Sequence, residues 1–421
     1  MPLLTAALVL LCFVGPLSTD MYLPAFPGIA TELHTDPSGV QLTLTAFLIG
    51  MTLGHLVFGP LSDRYGRRRP LLAGAAVCAA ATALCALAPS LEWLIVLRLV
   101  TGFTGAAGVV IGRAVVSDVT EGPAAARLFG ILMTLSSTAP ILAPLAGGAV
   151  IGAAGWRAVF WVLTGVSLLA LVGVLAAVRE SLPAERRRAG GGGVWRGVRE
   201  VAGDRAYVGY TFAFAFAFGA LFCYIAGSPF LLQNVLGLSV GTSSVVFSGG
   251  AVISTLSNAT STRLAGRVAP QRLLRTGLYT MLASTLVLLA VTVAGVLTLP
   301  VYAPLIAAMF GGLGLVFPNA ASLAIARVPQ AAGTGSALLG TAQSLLGAVV
   351  APLVGLAGGG TAVPLFAGMV LCTGAAAFFA RSAVRAGAVA PARQLPGVVG
   401  MSVPADIPLP RSEDKPERHG A

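Results

Sequence analysis

Twelve apolar stretches follow one another along the 421 residues of this chain, and that repetition constrains the fold more than any motif does. A helix needs roughly 20 apolar residues to cross ~30 Å of hydrocarbon, and in lipid its backbone polar groups must be satisfied within the helix itself. The stretches lie near 3–25, 38–62, 70–88, 92–116, 127–152, 157–178, 207–229, 241–263, 273–294, 298–322, 333–356 and 362–384. Most connections are a few residues long, so successive helices run antiparallel. Charged residues make up 10% of the chain, against about 25% in soluble domains. Its mean hydropathy is +0.89. The class is an integral membrane protein.

The formal charge of +11 does not point to nucleic acid, because the charges sit in short clusters between apolar runs. Arg64, Arg67, Arg68 and Arg69, then Arg127, then the cluster Arg186–Arg188 with Arg196, Arg199 and Arg205 occupy alternate loops. Arg263, Arg267, Arg272, Arg275 and Arg327 continue on that side, as does a basic tail from Arg381. Opposite loops carry Glu32, His34, Asp36 and Glu92, with Arg157 as their arginine. The positive-inside rule then makes both termini cytoplasmic. Cys12, Cys78, Cys85, Cys223 and Cys372 all fall within apolar runs, without disulfide or metal spacing, and read as small hydrophobes.

One long polar loop interrupts the series. It divides the chain into a six-helix half (1–178), a cytoplasmic linker (179–206), a second six-helix half (207–386) and a Pro-rich tail expected to be disordered (387–421). A repeat supports the division: GPLSDRYGRRRPLL (Gly59–Leu72) follows the second helix and TRLAGRVAPQRLL (Thr262–Leu274) the eighth. Aligning Leu61 with Leu264 sets Arg64 on Arg267, Arg69 on Arg272, and Gly266 where the first copy has Asp63. The expected fold is an all-α membrane protein of twelve transmembrane helices, in two six-helix halves around a central cavity.

GPLSDRYGRR resembles the signature loop between helices two and three of the major facilitator superfamily. Gly59, Asp63, Arg64, Gly66 and Arg67 stand there, with Asp118 at the end of helix four the nearest acid available to them. Charges at one face can hold the halves together in one conformation and release them in the other. Gly66 permits the tight turn. Arg68 and Arg69 are read as setting topology.

Within the spans the ionisable groups are Asp20, His55, Arg98 and Arg113. Each costs at least ~2.5–3.5 kcal/mol in hydrocarbon and is therefore a functional candidate. Counting ~1.5 Å per residue, Asp20 and Arg98 each lie about 9 Å in from the acidic-loop end. An Asp–Arg pair across the cavity would offset both burial costs. Asp20 is the expected proton carrier and Arg98 its modulator; a static ion pair is the alternative. Arg113 either snorkels, pairs with Asp118 or faces substrate, and His55 reads as a packing residue.

Helix five carries APILAPLAGG, in which Pro140 and Pro144 are expected to kink the helix and Gly147 and Gly148 to allow close packing. The segment resembles the Gly-Pro-rich motif of the superfamily's antiporters, with Ala139 and Ala143 where glycines are expected. RLVTG (Arg98–Gly102) resembles its helix-four motif, with Thr101 for the usual glutamine. With STDMYLPAFP and GRAVVSD added, the first half resembles the Bcr/CflA (bicyclomycin/chloramphenicol resistance) subfamily of drug/proton antiporters. That resemblance implies proton-coupled export of small amphipathic drugs.

Four phenylalanines alternate along helix seven (Phe212, Phe214, Phe216, Phe218). Phe216, Tyr224, Asn258, Asn319, Gln343 and Arg113 are the candidate lining of an amphipathic substrate cavity, with helix packing or lipid contact as the competing reading. Proton symport of a small metabolite is the alternative function. Catalysis is disfavoured because HExxH, GxSxG and paired intramembrane acids are absent from the sequence. No cofactor, metal or nucleic-acid partner is expected. The expected partners are the bilayer, protons and a small-molecule drug, and the protein is read as a monomer in a bacterial plasma membrane.

Overall fold

The structure is a computed structural model that describes residues 2–119, 122–182, 199, 201–329, 332–355 and 361–389. Most of the expected linker, including Arg186–Arg188 and Arg196, lies outside these residues, as does the tail from 390.

Helix α1 (Pro2–Asp20) ends at Asp20, and a 3-10 turn (Leu23–Ala25) leads into the short α2 (Phe26–Glu32). The first expected span, drawn as continuous from 3 to 25, is thus interrupted, with Asp20 at the break. Next come α3 (Pro37–Tyr65), α4 (Arg68–Ala86), α5 (Leu91–Val119) and α6 (Gly122–Ala177). The second half contains α7 (Arg205–Phe230), α8 (Val240–Leu264), α9 (Pro270–Val293), α10 (Leu299–Ala326), α11 (Ala332–Gly355) and α12 (Val363–Val389).

α6 is two spans. Its backbone leaves helical geometry at Gly155 (φ +75°), a conformation open to glycine and costly for residues with a Cβ. Its dihedrals stay helical through Pro140 and Pro144, and the break at Gly155 falls in the gap expected between the stretches 127–152 and 157–178. Among the described residues eleven helices are long and apolar enough to cross a membrane, and Thr138–Ala154 is a shorter apolar one. Together they make the twelve-span fold.

The helices pack as two groups. α3 and α4 lie along α5, and α1 along α5 and α6; in the second group α7 packs on α10, α11 and α12, and α9 on α10 and α12. Small residues bring backbones together: a Cβ at Gly102 would overlap the Phe47 carbonyl, and one at Gly50 the Leu99 carbonyl. Between membrane helices such close packing, rather than water exclusion, holds neighbours together.

The groups meet where α3 lies against α11 and α6 against α8. Among the described residues the side-chain hydrogen bonds that cross this boundary all lie towards the acidic-loop end. Gln41 Nε2 donates to the Ala226 carbonyl (2.9 Å), Thr45 Oγ1 to the Ala348 carbonyl (3.1 Å) and Gln233 Nε2 to the Pro24 carbonyl (3.0 Å). Phe26 and Phe230 add a ring contact at 6.2 Å. At the same end Glu32 accepts from Trp156 Nε1 (2.5 Å) and pairs with Arg157, which stacks 4.3 Å from the Trp156 ring centre. The arginine that departed from the charge pattern is thereby neutralised.

The repeat is visible in the backbone with a shifted register. α3 ends at Gly66 (φ +89°) followed by Arg67, and α8 is followed by Gly266 (φ +83°) and Arg267. Turn geometry therefore pairs Gly266 with Gly66, and not with Asp63 as the aligned leucines do.

Candidate functional site

Two sites emerge, one buried between α1, α3 and α5, the other at the arginine-rich end of the first half.

In the buried site Arg98 is 1% exposed. Its Nη2 donates to the Ser18 carbonyl (2.9 Å), and its guanidinium carbon lies 4.3 Å from the Tyr22 ring centre and 4.2 Å from that of Phe47. Two aromatic faces thus hold the cation by their quadrupoles in a water-poor setting. Its Nε makes no hydrogen bond among the described residues. Tyr22 is fixed by a 3.1 Å hydrogen bond between its hydroxyl and that of Thr43. Neither Tyr22 nor Phe47 was singled out as an arginine partner from sequence. The YLP sequence after Asp20 placed Tyr22 near the break, but only packing sets the ring against α5.

Asp20, 7% exposed, sits two residues beyond Ser18 at the end of α1, at the level of Arg98, as the residue count predicts. The expected Asp20–Arg98 ion pair is not formed: among the described residues the Asp20 carboxyl has no ion pair or side-chain hydrogen bond, and Arg98 is given to the rings and to Ser18. The break at Asp20 turns the following residues across the bundle, carrying Tyr22 rather than the carboxylate onto the guanidinium.

At the second site the centre is Arg67. It contacts Asp63 (Nη1 to Oδ1, 2.6 Å), Asp118 (Nε to Oδ2, 3.1 Å) and the Ser62 hydroxyl (2.7 Å). Glu180 accepts from the backbone N–H of Arg67 (2.8 Å), and Ser181 donates to Asp118 (2.8 Å). This network ties the ends of α3, α5 and α6 together within one half. Arg64 is exposed, stacks on Tyr65 (5.3 Å) and has no acid partner among the described residues, so Arg67 occupies the place expected for Arg64. Glu180 and Ser181 were not singled out from sequence, since they lie over a hundred residues from the motif. Gly59 meets only Val110, at ordinary contact distance for an added Cβ.

The helix-five glycines lie at close crossings. A Cβ at Gly147 would overlap the Met21 carbonyl, just after Asp20, and one at Gly148 the Ser244 hydroxyl of α8, in the other half. Pro144 is buried and Pro140 half-buried.

The remaining cavity candidates separate. Phe216 stacks nearly parallel on Phe379 of α12 (5.5 Å, 10°), a helix-packing contact. Tyr224 is fully buried between Phe247 and Phe310. Asn319 donates to Ser261 of α8 and to the Leu315 carbonyl, both at 2.7 Å, and so bridges α10 to α8. Asn258 is exposed, and Gln343 is half-buried one turn from Gly347 of the α7–α11 contact. Arg113 is exposed on α5, near enough to His55 and Cys12 to act on them electrostatically.

Residues 8–352 match the family model described as Major Facilitator Superfamily. The chain belongs to that superfamily. It is 36% identical over 389 residues to the uncharacterized MFS-type transporter YdgK of Bacillus subtilis, spanning 90% of this chain and 95% of that protein. It is 30% identical over 366 residues to a bicyclomycin resistance protein homolog of Haemophilus influenzae (86% and 91%), and 32% identical over 284 residues to a chloramphenicol resistance protein of Pseudomonas aeruginosa (66% of each). These relatives agree with the subfamily resemblance read from the motifs. Among solved structures, a bacterial homolog of the human lysosomal transporter Spinster, inward-facing and unoccupied, superposes with a TM-score of 0.71 at 16% identity, covering 91% of this chain and 95% of that one. The nucleoside transporter NupG gives 0.71 at 12% identity (91% and 99%). The protein is a multi-pass membrane transporter, not an enzyme.

Proposed function

We propose that this transporter exports small amphipathic drugs or antibiotics across a bacterial plasma membrane in exchange for protons. Residues 1–178 and 207–386 act as two rocking halves joined by a cytoplasmic linker, with both termini cytoplasmic. The observation that carries the reading is the juxtaposition of a buried Asp20 and a buried Arg98 that, among the described residues, leave the carboxylate without a partner and one guanidinium donor unused. A buried carboxylate without a counter-charge is costly, and taking up a proton removes that cost. Losing the proton creates a demand for a cation, which the Nε of Arg98 meets if α1 shifts. Asp20 thus carries the proton, and Arg98 couples its charge to the position of α1.

The boundary bonds support an alternating cycle. With the acidic-loop end outside, this conformation is closed to the exterior and receives drug from the cytoplasm. The Arg67 network rigidifies the cytoplasmic end of the first half, and Gly147 and Gly148 let span five slide against α1 and α8. The resistance names carried by the relatives support drug as the cargo.

The test uses inverted vesicles from a pump-deficient host, acidified inside and containing a fluorescent pH reporter. A panel of antibiotics is added to wild type and to Asp20→Asn. Compound-triggered proton release in wild type, absent from the variant, is the expected result. Release that survives in Asp20→Asn moves the carrier elsewhere. Silence across the panel with confirmed expression favours import of a metabolite.

A further inference from the structure

The second half carries a cationic problem that the transport site does not address. Between residues 205 and 386 the sequence contains eight arginines and no Asp or Glu. Asp204, just before it, is taken by Arg327 (3.0 Å). Three of the remaining arginines converge on one cleft. Arg275 on α9 and Arg381 and Arg385 on α12 line an open space of about 660 Å³ between the two helices. Tyr279 organises the group: Arg381 Nη2 and Nε donate to its hydroxyl at 3.1 and 3.3 Å, and the guanidinium sits 5.4 Å from its ring centre. Among the described residues no carboxylate pairs with any of the three.

The remaining lining is of two kinds. Gln271 lies in the first turn of α9 and adds a neutral amide beside the arginines. Up to one turn deeper in the span than Arg275 and Arg381, Leu278, Ala377 and Ala380 make an apolar wall, with Leu274 and Val384 beside the arginines themselves. Cations therefore crowd one end of the cleft, at the arginine-rich edge of the membrane, and apolar surface continues from it into the span. Val384, Tyr279 and Phe378 on the same helices are exposed, so the cleft opens outwards, away from the boundary between the halves.

We propose that this α9–α12 cleft is a binding site for an anionic phospholipid. Its phosphate is held by Arg275, Arg381 and Arg385, and the first part of an acyl chain passes Val384 at the mouth and lies along Leu278, Ala380 and Ala377. A soluble anion would use the arginines but not the apolar wall, and a zwitterionic lipid would bring its own cation to a site that has no acid to receive it. Basic pockets between transmembrane helices suit such headgroups.

The test is native mass spectrometry of the full-length protein in detergent with equimolar phosphatidylglycerol and phosphatidylcholine. Wild type is expected to retain one phosphatidylglycerol in preference to phosphatidylcholine by at least about tenfold, since three arginines at roughly fivefold each would give on the order of a hundredfold at best. The triple variant Arg275→Gln, Arg381→Gln, Arg385→Gln loses the preference, and the matching triple lysine variant keeps most of it. Val384→Trp, which leaves every arginine in place, lowers retention by narrowing the mouth through which the acyl chain reaches the apolar wall. A second triple variant, Arg205→Gln, Arg263→Gln, Arg267→Gln, removes the same charge elsewhere and leaves the preference intact. Equal loss in both glutamine triples would show diffuse attraction to a basic face and overturn the site, as would an unchanged preference in the cleft variant. Displacement of the lipid by millimolar inorganic phosphate would show an anion site with no acyl component, which also overturns the proposal.

Discussion

Gln41 Nε2 donates a 2.9 Å hydrogen bond to the carbonyl of Ala226, 185 residues away and in the opposite half of the transporter. Gln41 is 1% exposed, and its Oε1 has no partner among the described residues. The contact closes the acidic-loop end at the cost of one orphaned acceptor, as expected of a contact made in one state and broken in another. Gln41→Leu removes donor and acceptor together. A net hydrogen bond is worth ~0.5–1.5 kcal/mol, so the closed population should fall by roughly two- to tenfold relative to open. Disulfide cross-linking between cysteines placed at Thr45 and Ala348, compared with and without Gln41→Leu, reads that population; equal yields would remove Gln41 from the closure.

Arg67 holds three side-chain acceptors at once, whereas among the described residues Arg64 meets only the Tyr65 ring. Arg67→Ala should therefore lower thermal stability by ~1–2 kcal/mol, a figure reduced for the partial exposure of Asp63 and Asp118. It should also impair transport more than Arg64→Ala does. Melting curves in detergent and vesicle transport for the two variants check the order, and a larger effect from Arg64→Ala would contradict it.

The rings of Tyr22 and Phe47 both hold Arg98, at 4.3 and 4.2 Å from its guanidinium carbon. Phe47→Leu keeps an apolar side chain but removes one aromatic face, which costs the cation about 1–2 kcal/mol in a desolvated site. Compound-driven proton release should slow by roughly tenfold, with compound binding by the detergent-solubilised protein retained. Loss of binding in parallel with release would point instead to direct contact between Phe47 and substrate.

Gly147 and Gly152 lie five residues apart in one helix yet should tolerate alanine differently. A Cβ at Gly147 would overlap the Met21 carbonyl, while one at Gly152 meets nothing within 4 Å. Overpacking costs ~1–3 kcal/mol, so Gly147→Ala should lower the melting temperature and transport and Gly152→Ala should change neither. Equal tolerance would mean that span five does not need this close approach to α1.

Much of the fold was legible in the sequence, because a hydrocarbon solvent demands long apolar helices and leaves little freedom over their length. The observed spans start and end within a few residues of the expected ones, apart from the first, which breaks at Asp20 and resumes to Glu32. The twofold repeat was visible as well, though leucine alignment misplaced Gly266 by three positions relative to the turn. Helix register in a degenerate repeat is carried by backbone geometry, which the retained side chains report poorly.

The buried site was legible as a set of residues but not as an arrangement. Asp20 and Arg98 announced themselves because ionisable groups are expensive in a span, and their common depth followed from helical rise. Which group faces the guanidinium depends on how α1 turns after residue 20 and on the angle at which α3 crosses α5. Those are properties of packing: Gly50 and Gly102 bring α3 and α5 close enough for Phe47 to reach Arg98. By itself, the sequence determined the membrane class, the twelve spans, the family resemblance and the short list of costly residues, each of which follows from local chemistry along one helix. Only the tertiary structure decided that Arg67 rather than Arg64 centres the charge network, that Tyr22 and Phe47 rather than Asp20 hold Arg98, and that Phe216 packs on Phe379. Each of those pairings joins distant parts of the chain, and their distances are set by helix crossings that no local pattern encodes.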